Sequence, residues 1–487
     1  MEDTTLHRRI AELSSEQRIL FLQRLQLLKK EVKTVAIDEE QVRTGDLPFS
    51  SGQCWLIEES TGEHPSYWNM VFFLEPLMPL NPALLERTIA YLMQYHDVLR
   101  TRLQQRGGEW SQTILKQAQP PFTQISLKEV PVEQQQATIE ALVQEHERRI
   151  NSYATALFSV AYIDLGHSAR LVWIINHFLT DGFSNQILFQ DFQTVYQQLS
   201  QGQEPALPAR TTAFKEITQQ ILAYIRSATG QQELQHYWLR RPWQKLKPIP
   251  LDHPEGVTID PESSIRAYGT FASNEEVEIC LSAATTQTLL SLNQQATILE
   301  LLITALVQVG TAWTETTAFY LYVQDLGRQT LFKEVDLTRT VGFLAHARHL
   351  IIDTGHQKSF AEILPLVQQQ LEEAPNKGRT LDWLKRPGDR SPVPAELRAL
   401  PHADLTFNYM GFLDQLTDEQ SFFRPLPIQA LTYPLAIRNH ALECKGYILD
   451  GRLTLRWIYS RSIHHQQTIE WLGRKVQTAL ETYCNQQ

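Results

Sequence analysis

The sequence predicts an α/β protein made of two lobes with a cleft between them. The chain has 487 residues, which is too long for one ordinary hydrophobic core. Hydrophobic residues make up 43% of it and charged residues 20%, as in ordinary globular proteins. Strand and helix patterns mix on both sides of a polar, proline-containing link, Gly202–Thr212. A cleft between two such lobes is the usual position of a ligand site.

The first lobe is predicted from short apolar runs, which indicate strands, and from apolar residues at helical spacing. An amphipathic helix, Leu13–Lys30, precedes it and is either a docking element or a helix packed onto the body. The predicted elements are a strand ending near Leu74, a helix over Asn81–His96, a strand after Arg100, strand and loop over Trp110–Ile125, a helix over Val132–Asn151, strands over Leu157–Asp164 and Ala169–Ile175, and a helix over Asn185–Leu199.

The second lobe repeats the α/β pattern after a proline-rich loop, Leu246–Gly256. Its predicted helices are Phe214–Ala228, Gln231–Trp238, Leu299–Thr314, Phe360–Glu373 and Gln466–Tyr483, and its predicted strands are Val277–Leu281, Ala318–Gln324, Ala347–Asp353, Asp404–Tyr409, Ala441–Ile448 and Arg452–Tyr459. We therefore divide the chain into an N-terminal helix and linker (1–45), a first lobe (46–210) and a second lobe (211–487).

Charge and cysteine usage exclude several classes of function. A net charge of −10 argues against non-specific nucleic-acid binding. The four cysteines are far apart and form no CxxC pair, which fits a reducing cytoplasm and predicts neither a zinc site nor a disulfide framework. The charged N-terminal segment does not resemble a secretory signal, and no apolar run is long enough to span a bilayer. We expect a cytoplasmic monomer without a metal.

The chemistry is expected to centre on the stretch Arg170–Ser184. A buried strand ends there at Asn176 and His177, and the turn pair Asp181-Gly182 follows. Rigid scaffolds tend to present functional groups at such a junction. A lone histidine is a weak signal, and the spacing leaves open a core or turn histidine that its neighbours satisfy.

Several motifs together resemble a known family. The stretch 176–182, NHFLTDG, resembles the HHxxxDG signature of the condensation superfamily of nonribosomal peptide synthetases. Further matches are 336–343, DLTRTVGF, 407–411, FNYMG, and 374–378, APNKG, which resemble motifs of epimerisation domains, and 95–100, YHDVLR, which resembles the superfamily's HHDALR. Together they favour the epimerisation branch over the branch that forms peptide bonds.

The resemblance implies a fold and a partner. The fold is a V-shaped pseudo-dimer of two chloramphenicol-acetyltransferase-like lobes with a central tunnel, and His177 lies midway along it. A carrier protein, in trans or within a larger synthetase, feeds its phosphopantetheine arm into the tunnel, so no cofactor is bound directly. In active epimerisation domains the second motif histidine and a glutamate of an EGHGRE motif act on the α-proton of the tethered residue.

The sequence departs from this pattern at both catalytic motifs. Asn176 stands in place of the first histidine, and Gln324 takes the glutamate position in 324–329, QDLGRQ. An amide does not titrate, so Gln324 is unable to exchange a proton as an acid or base. Asp325 is adjacent, but neighbouring side chains on a strand point to opposite faces. His177 is therefore expected to be the sole base.

The other motif residues receive expected roles from the resemblance. Tyr409 is a candidate catalytic residue of the cleft, and the alternative is a buried strand aromatic. Asp181 is expected to order the turn through an ion pair, for which Arg339 is a conceivable partner, and Gly182 is expected to permit the tight turn. The residues predicted to be structural are Asn176, Asp181, Gly182 and Arg339.

Two functions remain open from the sequence. The first is an enzyme that acts on a carrier-bound aminoacyl or peptidyl thioester, by epimerisation or by amide or ester formation, with His177 as the single base. The second is a catalytically inactive, condensation-like interface domain that binds a carrier protein or recruits a partner enzyme. The two substituted motif positions favour the second function, and the intact His177, Asp181 and Gly182 favour the first.

Overall fold

The computed structural model describes residues 43–59, 69–151, 156–259, 266–292, 295–329, 332, 335–389, 391–412, 422–426 and 437–486. The predicted helix Leu13–Lys30 lies outside these residues. None of the helices in the described ranges is long and apolar enough to cross a lipid bilayer.

The first half of the chain supplies four strands of a five-stranded sheet, a separate three-stranded sheet and most of the helices that cover them. Its elements are β1 (Gly45–Asp46), α1 (Ser51–Glu59), β2 (Asn69–Pro76), α2 (Pro82–Tyr95), β3 (Thr101–Arg106), β4 (Glu109–Ile114), β5 (Phe122–Ser126), α3 (Val132–Asn151), β6 (Phe158–Asp164), β7 (Ala169–Asn176), α4 (Gly182–Ser200), α5 (Phe214–Arg226) and α6 (Ala228–Tyr237). The predicted helices and strands of this half that lie within the described residues are confirmed to within a few residues at their ends.

The second half forms a six-stranded sheet. Its elements are β8 (Thr258–Ile259), β9 (Arg266–Ala267), β10 (Asn274–Cys280), α7 (Ala283–Ser291), α8 (Ile298–Thr314), β11 (Ala318–Asp325), β12 (His346–Asp353), α9 (Phe360–Glu373), α10 (Thr380–Lys385), α11 (Ala395–Arg398), β13 (Leu405–Phe412), β14 (Phe423–Pro425), β15 (Leu442–Leu449), β16 (Arg452–Ser460) and α12 (Gln466–Cys484). The sheet order is β10-β16-β15-β13-β11-β12.

The central strand of the first sheet is apolar on both faces, which explains its unbroken apolar sequence. In β7, Trp173 packs into one core with α2 and α4, whereas Val172 and Ile174 pack into a second core under α3. The alternation follows the two-residue period of a strand. β7 is therefore buried from Leu171 to Asn176, and its C-terminal end lies within the core where Asn176 and His177 begin the turn.

The two halves are connected by more than the polar link. The first sheet has the order β14-β2-β7-β6-β5, so the three-residue strand β14 from the second half pairs with β2 at its edge. The connection between β11 and β12 also packs into the first core through Leu337, Val341 and Phe343. The hydrophobic core of the first lobe thus contains residues from both sides of position 210.

Candidate functional site

The turn that carries His177 is fixed by amide hydrogen bonds on both sides. Asn176 is fully buried, and its side-chain amide donates to Asn69 Oδ1 at 3.0 Å and accepts from the Phe178 N–H at 3.0 Å. Gln53 donates to the Phe178 carbonyl at 2.6 Å. Asn176 therefore makes the structural hydrogen bonds that the sequence suggested for it. Gln53, which lies on α1, received no role from the sequence.

Asp181 organises the start of α4. Its side chain accepts from the Ser184 N–H at 2.8 Å, which caps the helix, and from the Leu344 and Ala345 N–H groups at 3.0 and 2.9 Å. Arg328 binds it with two hydrogen bonds of 2.9 and 2.8 Å. Burial alone would raise the pKa of Asp181, but Arg328 and Ser184 hold it below its usual value.

The suggestion that Arg339 pairs with Asp181 is wrong, because Arg328 occupies that place. Arg339 instead forms a buried ion pair with Asp191 of α4, and Asp191 also contacts His96 Nε2 at 2.9 Å. Arg328 lies within the match to EGHGRE, but sequence spacing does not say which of two nearby arginines reaches a carboxylate. Both arginines cross from the second half of the chain to α4.

Gly182 does not have the backbone role expected of it. Gly182 is the first residue of α4, and its φ is not positive. It is exposed, and a Cβ added to it would have no neighbouring atom within 4 Å. Neither a positive φ nor a close approach therefore requires glycine at this position. The turn is instead held by the Asp181 cap.

His177 is partly exposed, and its two ring nitrogens are in different surroundings. Nδ1 is buried and has no hydrogen-bond partner among the described residues. The imidazole ring lies against Phe343, with 4.3 Å between the ring centroids and 43° between the planes. Burial lowers the pKa of His177, and the nearby Asp181 carboxylate opposes that shift only in part. The imidazole is therefore neutral near pH 7 and available as a base.

Position 324 supplies no second proton carrier. Gln324 is exposed near the end of β11, and Asp325 is buried on the other face of that strand. Asp325 accepts from Arg348 Nε at 2.6 Å and from Arg379 Nε and Nη2 at 3.0 and 2.8 Å. Burial would raise the pKa of Asp325, but the two arginines hold it well below its usual range. A carboxylate bound in this way stays ionised and does not replace a base at position 324.

Tyr409 lies in the second lobe's hydrophobic core. It is 8% exposed and belongs to the same apolar cluster as Phe407 on the helix-covered face of β13. This packing favours the buried strand aromatic over the catalytic assignment. Val323 pairs with Phe407 in parallel register, so Asn408, the next residue along, lies on the same sheet face as Gln324.

A crevice lies where segments of both halves meet beside this site. It contains about 550 Å³ of empty space, part of it open to solvent, and His177 is not among its lining residues. Its walls include Ser51, Ile217, Ile221, Gln329, Leu344 and Trp383. No cluster of three or more His, Cys, Asp or Glu side chains suited to a metal occurs in the described ranges.

The two-lobe architecture and the NHFLTDG turn define a chloramphenicol-acetyltransferase-like fold of the condensation type. The condensation-domain family profile matches residues 43–486, so this chain belongs to the condensation-domain family. The resemblance predicted from the motifs is therefore confirmed. The family relationship does not by itself assign a reaction, because that depends on the residues at the site.

The curated relatives are longer synthases and synthase subunits, of which this chain matches a part. It is 29% identical over 450 residues to the chondramide synthase cmdD of Chondromyces crocatus, covering 89% of this chain and 11% of that protein. It is 24% identical over 461 residues to tyrocidine synthase 1 of Brevibacillus parabrevis, covering 92% of this chain and 41% of that protein. The chain thus spans less than half the length of these relatives.

Solved structures share the fold. The epimerization domain from the third module of tyrocidine synthetase B superposes with a TM-score of 0.73 at 22% identity, covering 93% of this chain and 99% of that one. The X-domain from teicoplanin biosynthesis, solved in complex with OxyB, gives a TM-score of 0.66 at 17% identity, covering 90% and 93%.

Proposed function

We propose that this chain forms an amide or ester bond on an aminoacyl or peptidyl thioester tethered to a carrier protein, with His177 as the sole base. The observation that carries the proposal is the environment of His177. Its imidazole is neutral, partly exposed and presented at the end of a rigid strand, while position 324 holds an amide that does not titrate. One base is enough for acyl transfer.

The reaction requires a single proton to be moved. An amine or hydroxyl nucleophile attacks the thioester carbonyl, and His177 Nε2 accepts the proton that the nucleophile loses. The tetrahedral intermediate collapses, the carbon–sulfur bond breaks, and the imidazolium returns the proton to the leaving phosphopantetheine thiolate. Nδ1 is buried beside the turn, so Nε2 is the nitrogen that we assign to this step. Two-base epimerisation would need a second titrating group on the opposite face of the substrate.

A non-catalytic interface domain is the second candidate. It is favoured by the substitution of both family positions, Asn176 and Gln324, and by the structural hydrogen bonds that Asn176 now makes. The X-domain that shares this fold was solved bound to another protein, OxyB. In this function the chain would bind a carrier protein or a partner enzyme and leave the chemistry to it.

The site of action that we propose is the cytoplasm, with the carrier supplied by another polypeptide or by a larger synthetase. None of the four cysteines forms a disulfide bond, which fits a reducing compartment. The phosphopantetheine arm of the carrier would serve as the substrate tether, and no further cofactor is needed for acyl transfer.

The test uses a carrier protein loaded with an α-deuterated aminoacyl or peptidyl thioester, with and without an amine acceptor. Mass and chirality of the products are followed for the wild type, for His177→Ala and for His167→Ala, whose exposed histidine lies in the same lobe. We expect a new amide that requires the acceptor, is lost in His177→Ala and is unchanged in His167→Ala. Exchange of the α-deuterium with solvent, without formation of an amide, would show that the reaction is epimerisation and not acyl transfer. Carrier binding without exchange or product would favour the interface domain.

A further inference from the structure

The connection between β11 and β12 is clamped onto the His177 turn on both sides of Phe343. Before it, Gly342 donates its N–H to Ser184 Oγ at 3.0 Å, and its carbonyl accepts from the same hydroxyl at 2.9 Å. After it, the Leu344 and Ala345 N–H groups donate to Asp181. The backbone around Phe343 is thus attached to the first turn of α4.

The Phe343 ring is confined between two elements of the first lobe. One side faces the imidazole of His177 at 4.3 Å between centroids. The ring also lies close to α1, where a Cβ added at Gly52 would be 2.8 and 2.9 Å from two Phe343 ring atoms. Phe343 is 5% exposed. The absence of a side chain at position 52 is therefore what leaves room for the ring.

We propose that Phe343 is a positioning residue for the His177 base: it fixes the plane of the imidazole and keeps water from that side of the ring. The inference rests on the proposed function, because it assigns Phe343 a role in that site. Since Phe343 comes from the second half of the chain, His177 is in its working orientation only when the β11–β12 connection is seated on α4.

The surroundings of His177 indicate how removal of the ring would be observed. Burial is the main cause of its lowered pKa, and Asp181 is the charged group that opposes the shift. Arg328 from the second half neutralises Asp181 by its two hydrogen bonds. A smaller side chain at position 343 admits water without changing these charges, so the titration midpoint of His177 rises toward that of an ordinary histidine.

The experiment is an NMR titration of the full chain with ¹³C-labelled histidine, in which His177 is assigned by its loss in His177→Ala. Phe343→Leu removes the aromatic face, and Gly52→Ala places a Cβ against the Phe343 ring and 3.0 Å from the Ala345 carbonyl oxygen, which displaces the ring without altering it. The matched control is Phe189→Leu, because the half-buried ring of Phe189 packs on Phe72 and Trp173.

We expect Phe343→Leu and Gly52→Ala to raise the His177 midpoint by about half a pH unit or more, with the Phe189→Leu control close to wild type. In the carrier assay, Phe343→Leu should lower kcat with little change in KM. Wild-type titration in Phe343→Leu and Gly52→Ala would overturn the proposal. If the Phe343→Leu variant does not fold, the His177 titration in Gly52→Ala alone tests the proposal. The titration needs no turnover, so its result is independent of whether acyl transfer is the reaction.

Discussion

Removal of Arg328 is expected to release the β11–β12 connection from the first lobe. The Arg328 side chain is 5% exposed and that of Asp181 is 2% exposed, and Arg328 also donates to Ser184 Oγ at 2.8 Å. Breaking a buried ion pair by deleting one partner costs about 3–5 kcal/mol. Arg328→Met leaves the Asp181 carboxylate buried without its guanidinium, so opening of the clamp should become easier by about 3 kcal/mol, or roughly 100-fold.

The assay is amide hydrogen exchange of residues 342–346, which reports local opening without requiring two-state unfolding of a two-lobe chain. The control is Arg149→Met, since the Arg149 side chain is 64% exposed and its partner Glu145 is 37% exposed. An exposed pair of this kind contributes about 0.5 kcal/mol, so exchange at 342–346 should stay unchanged. Exchange that rises less than about threefold in Arg328→Met would show that the ion pair does not hold the clamp.

Three further predictions concern other parts of the structure. Gln324→Glu restores a titrating group at an exposed position, and α-deuterium exchange on a carrier-bound substrate should rise about tenfold or more if the site admits epimerisation geometry. Gly310→Ala places a Cβ 2.5 Å from the ring of Phe319 and should lower the free energy of unfolding by about 1–3 kcal/mol. In Gly182→Ala the added Cβ has no atom within 4 Å, so the Tm should stay unchanged or rise. Burial lowers the pKa of His346 to about 4. As the pH falls, His346 is therefore protonated in the unfolded chain before it is protonated in the folded one. The free energy of unfolding should decrease between about pH 6.5 and about pH 4, and it should decrease less in His346→Gln. Thermal unfolding over this pH range measures the difference.

The elements that local pattern determines could be predicted from the sequence. The strand before His177 was predicted to end at Ile175 and ends at Asn176, because its apolar, β-branched run admits few other conformations. The departures at Asn176 and Gln324 were also visible, since they concern residue identity. The immobilisation of Asp325 by two arginines agrees with the expectation that it does not replace the missing glutamate.

Contacts between distant segments could not be predicted from the sequence. Arg328 and Arg339 are eleven positions apart, and only the path of the chain between β11 and β12 decides which of them reaches Asp181. Tyr409 lies within a motif, but the pairing of β13 determines which sheet face it occupies. The three-residue strand β14 is too short to produce a recognisable period.

Strand β14 has a consequence for how such a chain can be divided or exchanged. It pairs with the last three residues of β2, Leu74–Pro76, so a fragment that ended at residue 210 would leave this edge without its partner strand and would lack Phe343. A recombinant synthetase that took its first lobe from one parent and its second from another would need a compatible strand at this edge. The unit that can be transplanted intact is therefore the whole matched region, 43–486, and a junction in the polar link would give halves prone to aggregation.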